Sequence, residues 1–269
     1  PSWSPDGRHL VFSSTVDGKS QIYMINADGK DLERVTFTGT HNGAPAWSPD
    51  ATELAAVTED TGPPPSRNSI SELCAVRLDS GARRRVSLYD AMAPTWSPDG
   101  RRIAFWGLRE ETFQRDLWSV AADGSESAKE AAVSLVDDAA IDWAPVYSHD
   151  GRWLYFASTR GGTFNLWRLA LDAASSEPQG EPEPLTAPSS WAGPFDLSAD
   201  GRRIVFVDRN AQTEIMRAAL DPARQELAAA PAPVFSGSFE LREQQLSFDG
   251  KRVVFTNEDM PQHLHLVQA

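Results

Sequence analysis

Histidine is the residue type here with the widest chemical range, and it occurs five times. His263 and His265, two apart on an expected strand, would share one face and could ligate zinc. No third ligand accompanies them, and His265 falls in a register held elsewhere by Tyr23, Trp118 and Trp167, so packing is the expected role. His9 shares a surface register with Glu53, Arg102 and Trp153, while His149 takes a turn position held elsewhere by Pro5, Pro49 and Pro98. His41 is left, and one imidazole without companions builds neither a metal centre nor a nucleophile with its base. No Gly-rich phosphate loop is present. Cys74, in Leu73-Cys74-Ala75-Val76, reads as a buried thiol, and one cysteine makes no internal disulfide. The expectation is a non-catalytic chain with no metal and no cofactor.

Serine and aspartate are spaced for architecture. Ser4-Pro5-Asp6-Gly7 recurs as Ser48-Pro49-Asp50-Ala51, Ser97-Pro98-Asp99-Gly100, Ser148-His149-Asp150-Gly151, Ser198-Ala199-Asp200-Gly201 and Ser247-Phe248-Asp249-Gly250, at intervals of 44 to 51 residues. Repetition on this scale marks an array of like supersecondary units. Ser, Pro, Asp and Gly in that order suit a type I turn whose last residue takes positive φ. Ala51 should therefore strain the second copy. Each repeated Ser and Asp is accounted for by its turn, which leaves none for a Ser/His/Asp triad.

These turns must sit between strands. Trp3, Trp47, Trp96, Tyr147, Leu197 and Leu246 precede them at one register, and short apolar runs follow, as in Ile103-Ala104-Phe105, Leu154-Tyr155-Phe156 and Ile204-Val205-Phe206. Continuous runs of that length between turn signals mark strands buried on both faces. A third strand (Gln21-Ile22-Tyr23-Met24, Asn165-Leu166-Trp167) and a weaker fourth (Arg34-Val35-Thr36, Pro184-Leu185-Thr186) complete the unit. The prediction is an all-β, six-bladed β-propeller of four-stranded antiparallel blades, with blades near 1–40, 41–90, 91–140, 141–190, 191–240 and 241–269. The last blade stops after its third strand, so its fourth is expected from chain before Pro1 or after Ala269.

Pro-x-Trp-Ser-Pro-Asp-Gly-Arg followed by an apolar strand, best seen in Pro1–Phe12, Pro45–Ala56, Pro94–Phe105 and Pro145–Phe156, resembles the TolB-type propeller repeat, a tryptophan-aspartate-like repeat with a Pro-Asp core. The resemblance spans essentially the whole chain. It implies a bacterial binding module in the periplasm or elsewhere outside the cytoplasm. Propellers of this type also sense ligands or glycans in membrane-attached kinases and transcriptional regulators, and gate prolyl-oligopeptidase-like peptidases. Those two roles stand as alternatives.

Charge and variation among repeats narrow the partner. With 38 acids against 25 bases and a net charge of -13, the chain lacks the concentrated cations that phosphate backbones require, so nucleic acid is excluded. No apolar stretch approaches the ~18 residues of a membrane span, and no membrane contact is expected. Pairs such as Asp6 with Arg8 and Asp99 with Arg101 are expected to solvate one face. Slots that differ among repeats are free of the fold's demands, and those just ahead of the inner strands are predicted to rim a binding face. They give His41, Asn42, Asp142, Trp143, Trp191, Glu240 and Arg242 as candidate binding residues, the two tryptophans being of the type that dominates binding hot spots. A protein or peptide ligand and a monomeric state are expected.

Overall fold

The Ser-x-Asp turn closes through one small hydrogen-bond circuit that all six copies share. The serine hydroxyl donates to the aspartate Oδ1 at 2.6 to 2.7 Å, and the amide of the fourth residue donates to the serine carbonyl at 2.8 to 3.0 Å. That same Oδ1 accepts the amide two residues beyond the aspartate, at 3.0 to 3.1 Å. The fourth position lies in the left-handed region, with φ of 68° at Gly7 and 72° at Gly100; Ala51 takes 58° there and carries the strain that a Cβ brings. Backbone amides, more than the neighbouring cations, therefore satisfy these aspartates. The guanidinium of Arg101 stands 3.6 Å from Asp99, and that of Arg8 stands 4.0 Å from Asp6. The serine hydroxyl, followed by the backbone amide, holds Asp6 and Asp50 below the usual carboxylate range.

The computed structural model describes residues 1–16, 18–36, 41–59, 71–87, 91–109, 114–125, 132–136, 138–160, 165–186, 192–209, 213–237, 241–257 and 264–268. Every regular element among them is a strand. The chain divides into two units, Pro1–Asp138 and Ala139–Ala269.

In the first unit, β1 (Ser2–Trp3), β2 (His9–Val16), β3 (Lys19–Asn26), β4 (Glu33–Arg34), β5 (His41–Trp47), β6 (Glu53–Glu59), β7 (Glu72–Arg77) and β8 (Arg83–Ser87) form one eight-stranded sheet. A second, four-stranded sheet runs β12-β11-β10-β9, from Val133–Ser134 through Gln114–Ala121 and Arg102–Arg109 to Ala91–Trp96.

The second unit holds a four-stranded sheet of β13 (Asp142–Tyr147), β14 (Trp153–Ser158), β15 (Asn165–Ala170) and β16 (Glu183–Pro184). A five-stranded sheet follows, made of β17 (Ala192–Leu197), β18 (Arg203–Arg209), β19 (Thr213–Asp221), β20 (Glu226–Leu227) and β21 (Ala232–Gly237). The last sheet has three strands, β22 (Leu241–Leu246), β23 (Arg252–Asn257) and β24 (Leu264–Gln268).

The all-β class holds, but the expected six-bladed β-propeller of four-stranded antiparallel blades does not. The described strands form five sheets, four of them with four or more strands and one with three. A turn repeat counts hairpins; sheet number depends on which strand edges hydrogen-bond. Ser20 of β3 and His41 of β5 form a parallel bridge that joins the first two repeats into one sheet, and β20 folds back on β19 to add a strand to the fifth.

The strands after the turns are buried as their apolar runs require. Leu54, Ala55, Ile103, Phe105, Leu154, Phe156, Ile204, Val205, Val253 and Phe255 are fully buried. Side chains on the two faces of one strand join different clusters: Phe206 packs with Tyr155 and Phe195, Val205 and Val207 with Leu246 and Phe255. Each inner strand from β5 onward is interrupted by a register shift. At that bulge Ala44, Ala93, Ala144 and Glu243 take φ between 43° and 51°, which re-aims the residues ahead of it.

Candidate binding face at the inner-strand entrances

The end of each inner strand remote from its Ser-x-Asp turn is where the variable slots fall. In the first unit His41 is exposed at the start of β5, its backbone partnered with Ser20 and Glu59. Asn42 turns inward and is buried. Its carbonyl accepts the Ser20 hydroxyl at 3.0 Å, and its Nδ2 donates to the Gln21 Oε1 at 3.3 Å. The Gln21 Oε1 also accepts the Thr36 hydroxyl at 2.8 Å, and the Thr36 Oγ1 accepts the Ile22 amide at 3.0 Å. Asn42 is therefore a strut that ties β5 to β3.

In the second unit the same slots divide differently. Asp142 is wholly buried, and Nη2 of Arg160 donates to both of its carboxylate oxygens, at 3.0 and 2.9 Å. The Arg160 Nε donates to the Ser158 hydroxyl at 2.9 Å, and its guanidinium carbon lies 5.2 Å from the Phe156 ring and 5.3 Å from the Trp167 ring. A buried carboxylate needs such a partner, because desolvating it alone is prohibitive. On either side of Asp142, Ile141 and Trp143 face outward at 45% and 38% exposure. This strand end thus presents two exposed apolar side chains around a buried, neutralised ion pair.

Trp191 and Glu240 lie outside the described residues. Arg242 is placed by its backbone alone, opposite Thr256. Asp142 joins Trp143 at one strand end, whereas His41 and Asn42 belong to the first unit. Alternation could have separated Asn42 from His41, since neighbouring strand residues point to opposite sides. The β13–β14 register brings Asp142 and Arg160 together, since it sets Asp142 opposite Ser158, two residues before Arg160.

Among the described residues no group of three His, Cys, Asp or Glu side chains could hold a metal ion. Cys74 is buried, and burial raises its thiol pKa although the Arg83 Nε lies 3.0 Å from the sulfur.

The model of the TolB beta propeller domain family matches residues 1–70 and 66–269. An uncharacterized protein of Agrobacterium fabrum is 27% identical over 216 residues, covering 78% of this chain and 66% of the relative. A Protein TolB homolog of Chlorobium luteolum is 31% identical over 168 residues, 61% of this chain and 35% of the relative. The chain thus spans only part of each relative's length. The solved structure of TolB from Acinetobacter baumannii superposes with a TM-score of 0.74 at 19% identity, over 97% of this chain and 63% of that one. With strands as the regular elements of the described residues and a family match running along the chain, the chain belongs to the TolB beta propeller domain family.

Proposed function

We propose that this chain is a non-catalytic binding module that takes a protein or peptide partner at the inner-strand entrances, outside the cytoplasm. The observation that carries the reading is the strand end of β13, where Ile141 and Trp143 are exposed around the buried Asp142–Arg160 pair. An exposed tryptophan fixed by a rigid strand presents large contact area at little conformational cost. The residues that would do covalent chemistry are committed elsewhere: all six repeated serines and aspartates bond to each other. Membership of the TolB beta propeller domain family supports a binding role.

The test pans a displayed peptide library against the immobilised chain and measures the selected peptides by calorimetry. Trp143→Ala should weaken them at least tenfold, about 1.4 kcal/mol, with an unchanged circular dichroism spectrum. Equal binding to the variant would remove β13 from the interface. Selection of oligosaccharides from a glycan array, with no peptides enriched, would replace the reading by the ligand-sensing one.

A further inference from the structure

The turn ends of strands in the first unit carry a concavity. Between the second and third turns of the first unit lies a groove of about 490 Å³. Its floor is apolar, formed by Trp96, Pro49 and Pro98, and the Trp96 indole N–H is already engaged by the Ala46 carbonyl at 3.2 Å. Its rim is acidic. Asp50, Glu53, Asp99 and Asp123 line it, and the one cation among the lining residues, Arg84, is held by Glu53 at 2.6 Å and by the Ala122 carbonyl.

The aspartates use one oxygen for the fold. Oδ1 of Asp50 takes the Ser48 hydroxyl, the Thr52 amide and the Thr52 hydroxyl; Oδ1 of Asp99 takes the Ser97 hydroxyl and the Arg101 amide; Oδ1 of Asp123 takes the amide and hydroxyl of Ser125. Oδ2 of Asp99 has the Arg101 Nε at 3.6 Å, a distance that leaves it open to a closer cation. The Ser48 and Ser125 hydroxyls hold Asp50 and Asp123 below the usual carboxylate range, so the rim stays charged at neutral pH.

The equivalent place in the second unit is nearly closed. Between the fourth and fifth turns only about 110 Å³ remains, because Tyr155 stands where the second repeat has Ala55 and its hydroxyl meets the Gln225 side chain. The two inter-turn places thus differ in how much space they leave.

We propose that this groove docks a lysine or arginine side chain of a protein partner. The aliphatic stem lies on Trp96 and the two prolines, and the charged head reaches the second oxygens of the rim aspartates. An apolar floor with an anionic rim fits a side chain that is apolar along its stem and cationic at its tip. The site shares no residue with the entrance of β13, since its lining lies wholly in the first unit.

The probes are N-acetyl-lysine methylamide, its arginine counterpart and the uncharged isostere N-acetyl-norleucine methylamide, each titrated into the full chain and followed by amide and indole NMR shifts. The two cations should give saturable shifts at the Trp96 indole and the Gly100 amide, while norleucine gives none. Asp50→Asn/Asp99→Asn/Asp123→Asn, which keeps the Oδ1 acceptors, should weaken the response at least fivefold, and high salt should do the same by screening. If the triple variant loses its native spectrum, Asp123→Asn alone serves, since Asp123 lies outside the Ser-x-Asp turns. Equal shifts from norleucine, an undiminished response in the Asn variant, or no saturable shift from either cation would overturn the proposal.

Discussion

In the first unit the indole N–H of Trp47 donates to the Ser2 carbonyl at 3.1 Å, and that of Trp96 to the Ala46 carbonyl at 3.2 Å. Each bond ties one inner strand to the inner strand before it. In the second unit Tyr147, Leu197 and Leu246 hold that register, and the two leucines have no donor to offer. The link there comes from Asp196, one residue ahead, whose Oδ2 accepts the Gln245 Nε2 at 2.9 Å and the Leu246 amide at 2.7 Å. Its Oδ1 takes the Leu197 amide at 2.9 Å. Two solutions at one register differ in what they cost. An indole buries a neutral donor, whereas a carboxylate makes stronger bonds and must be stripped of water first. Burial lifts the Asp196 pKa to about 6 against the hydrogen bonds that hold it down.

The largest expected effect comes from removing that carboxylate. Asp196→Ala leaves the buried Leu246 amide and the Gln245 side chain without their acceptor and should destabilise the protein by about 3 kcal/mol in urea unfolding. Asp196→Asn gives the electrostatic component. A pKa raised in the folded state stabilises below the unfolded value of ~3.9, and that stabilisation is lost as pH rises through the folded value. Wild-type protein should therefore lose stability relative to Asp196→Asn between about pH 4 and 7, by roughly 3 kcal/mol. A constant difference across that range would show that the carboxylate is solvated in solution.

Trp96→Phe keeps most of the ring and removes the donor, and it should cost about 1 kcal/mol, the net value of one neutral hydrogen bond. No change in the denaturation midpoint would mean that the first unit is tied by packing alone, and the contrast with Asp196 would lose its basis. The smallest effect concerns a turn. Ala51→Gly relieves the left-handed strain at 58° and should raise stability by up to about 1 kcal/mol, offset in part by the entropy of glycine. A fall in melting temperature would count against strain at this position.

Much of this architecture is legible in the chain. The Ser-x-Asp turns were readable because every partner in the circuit lies within five residues, so local chemistry is sufficient. The burial of Ile103-Ala104-Phe105 and its counterparts was readable because an unbroken apolar run has no solvent face. The candidate binding face was less so. His41 and Trp143 do face outward, but Asn42 and Asp142 turn inward to partners 21 and 18 residues away. At the bulges the left-handed φ falls on Ala44, Ala93 and Ala144, residues that do not favour it, because the strands on either side impose it.

The sequence by itself determined the β class, the repeat and the turns, since these follow from contacts between near neighbours repeated six times. It also determined the family, whose signature lies in those same short segments. The tertiary structure alone decided the number of sheets, the pairing of Asp142 with Arg160, the latch at Asp196 and the groove beside Trp96. Each depends on which strand edges and side chains meet once the strands pair, within one repeat for Asp142 and Arg160 and between neighbouring repeats for Asp196 and Leu246, and residue types alone do not specify those meetings.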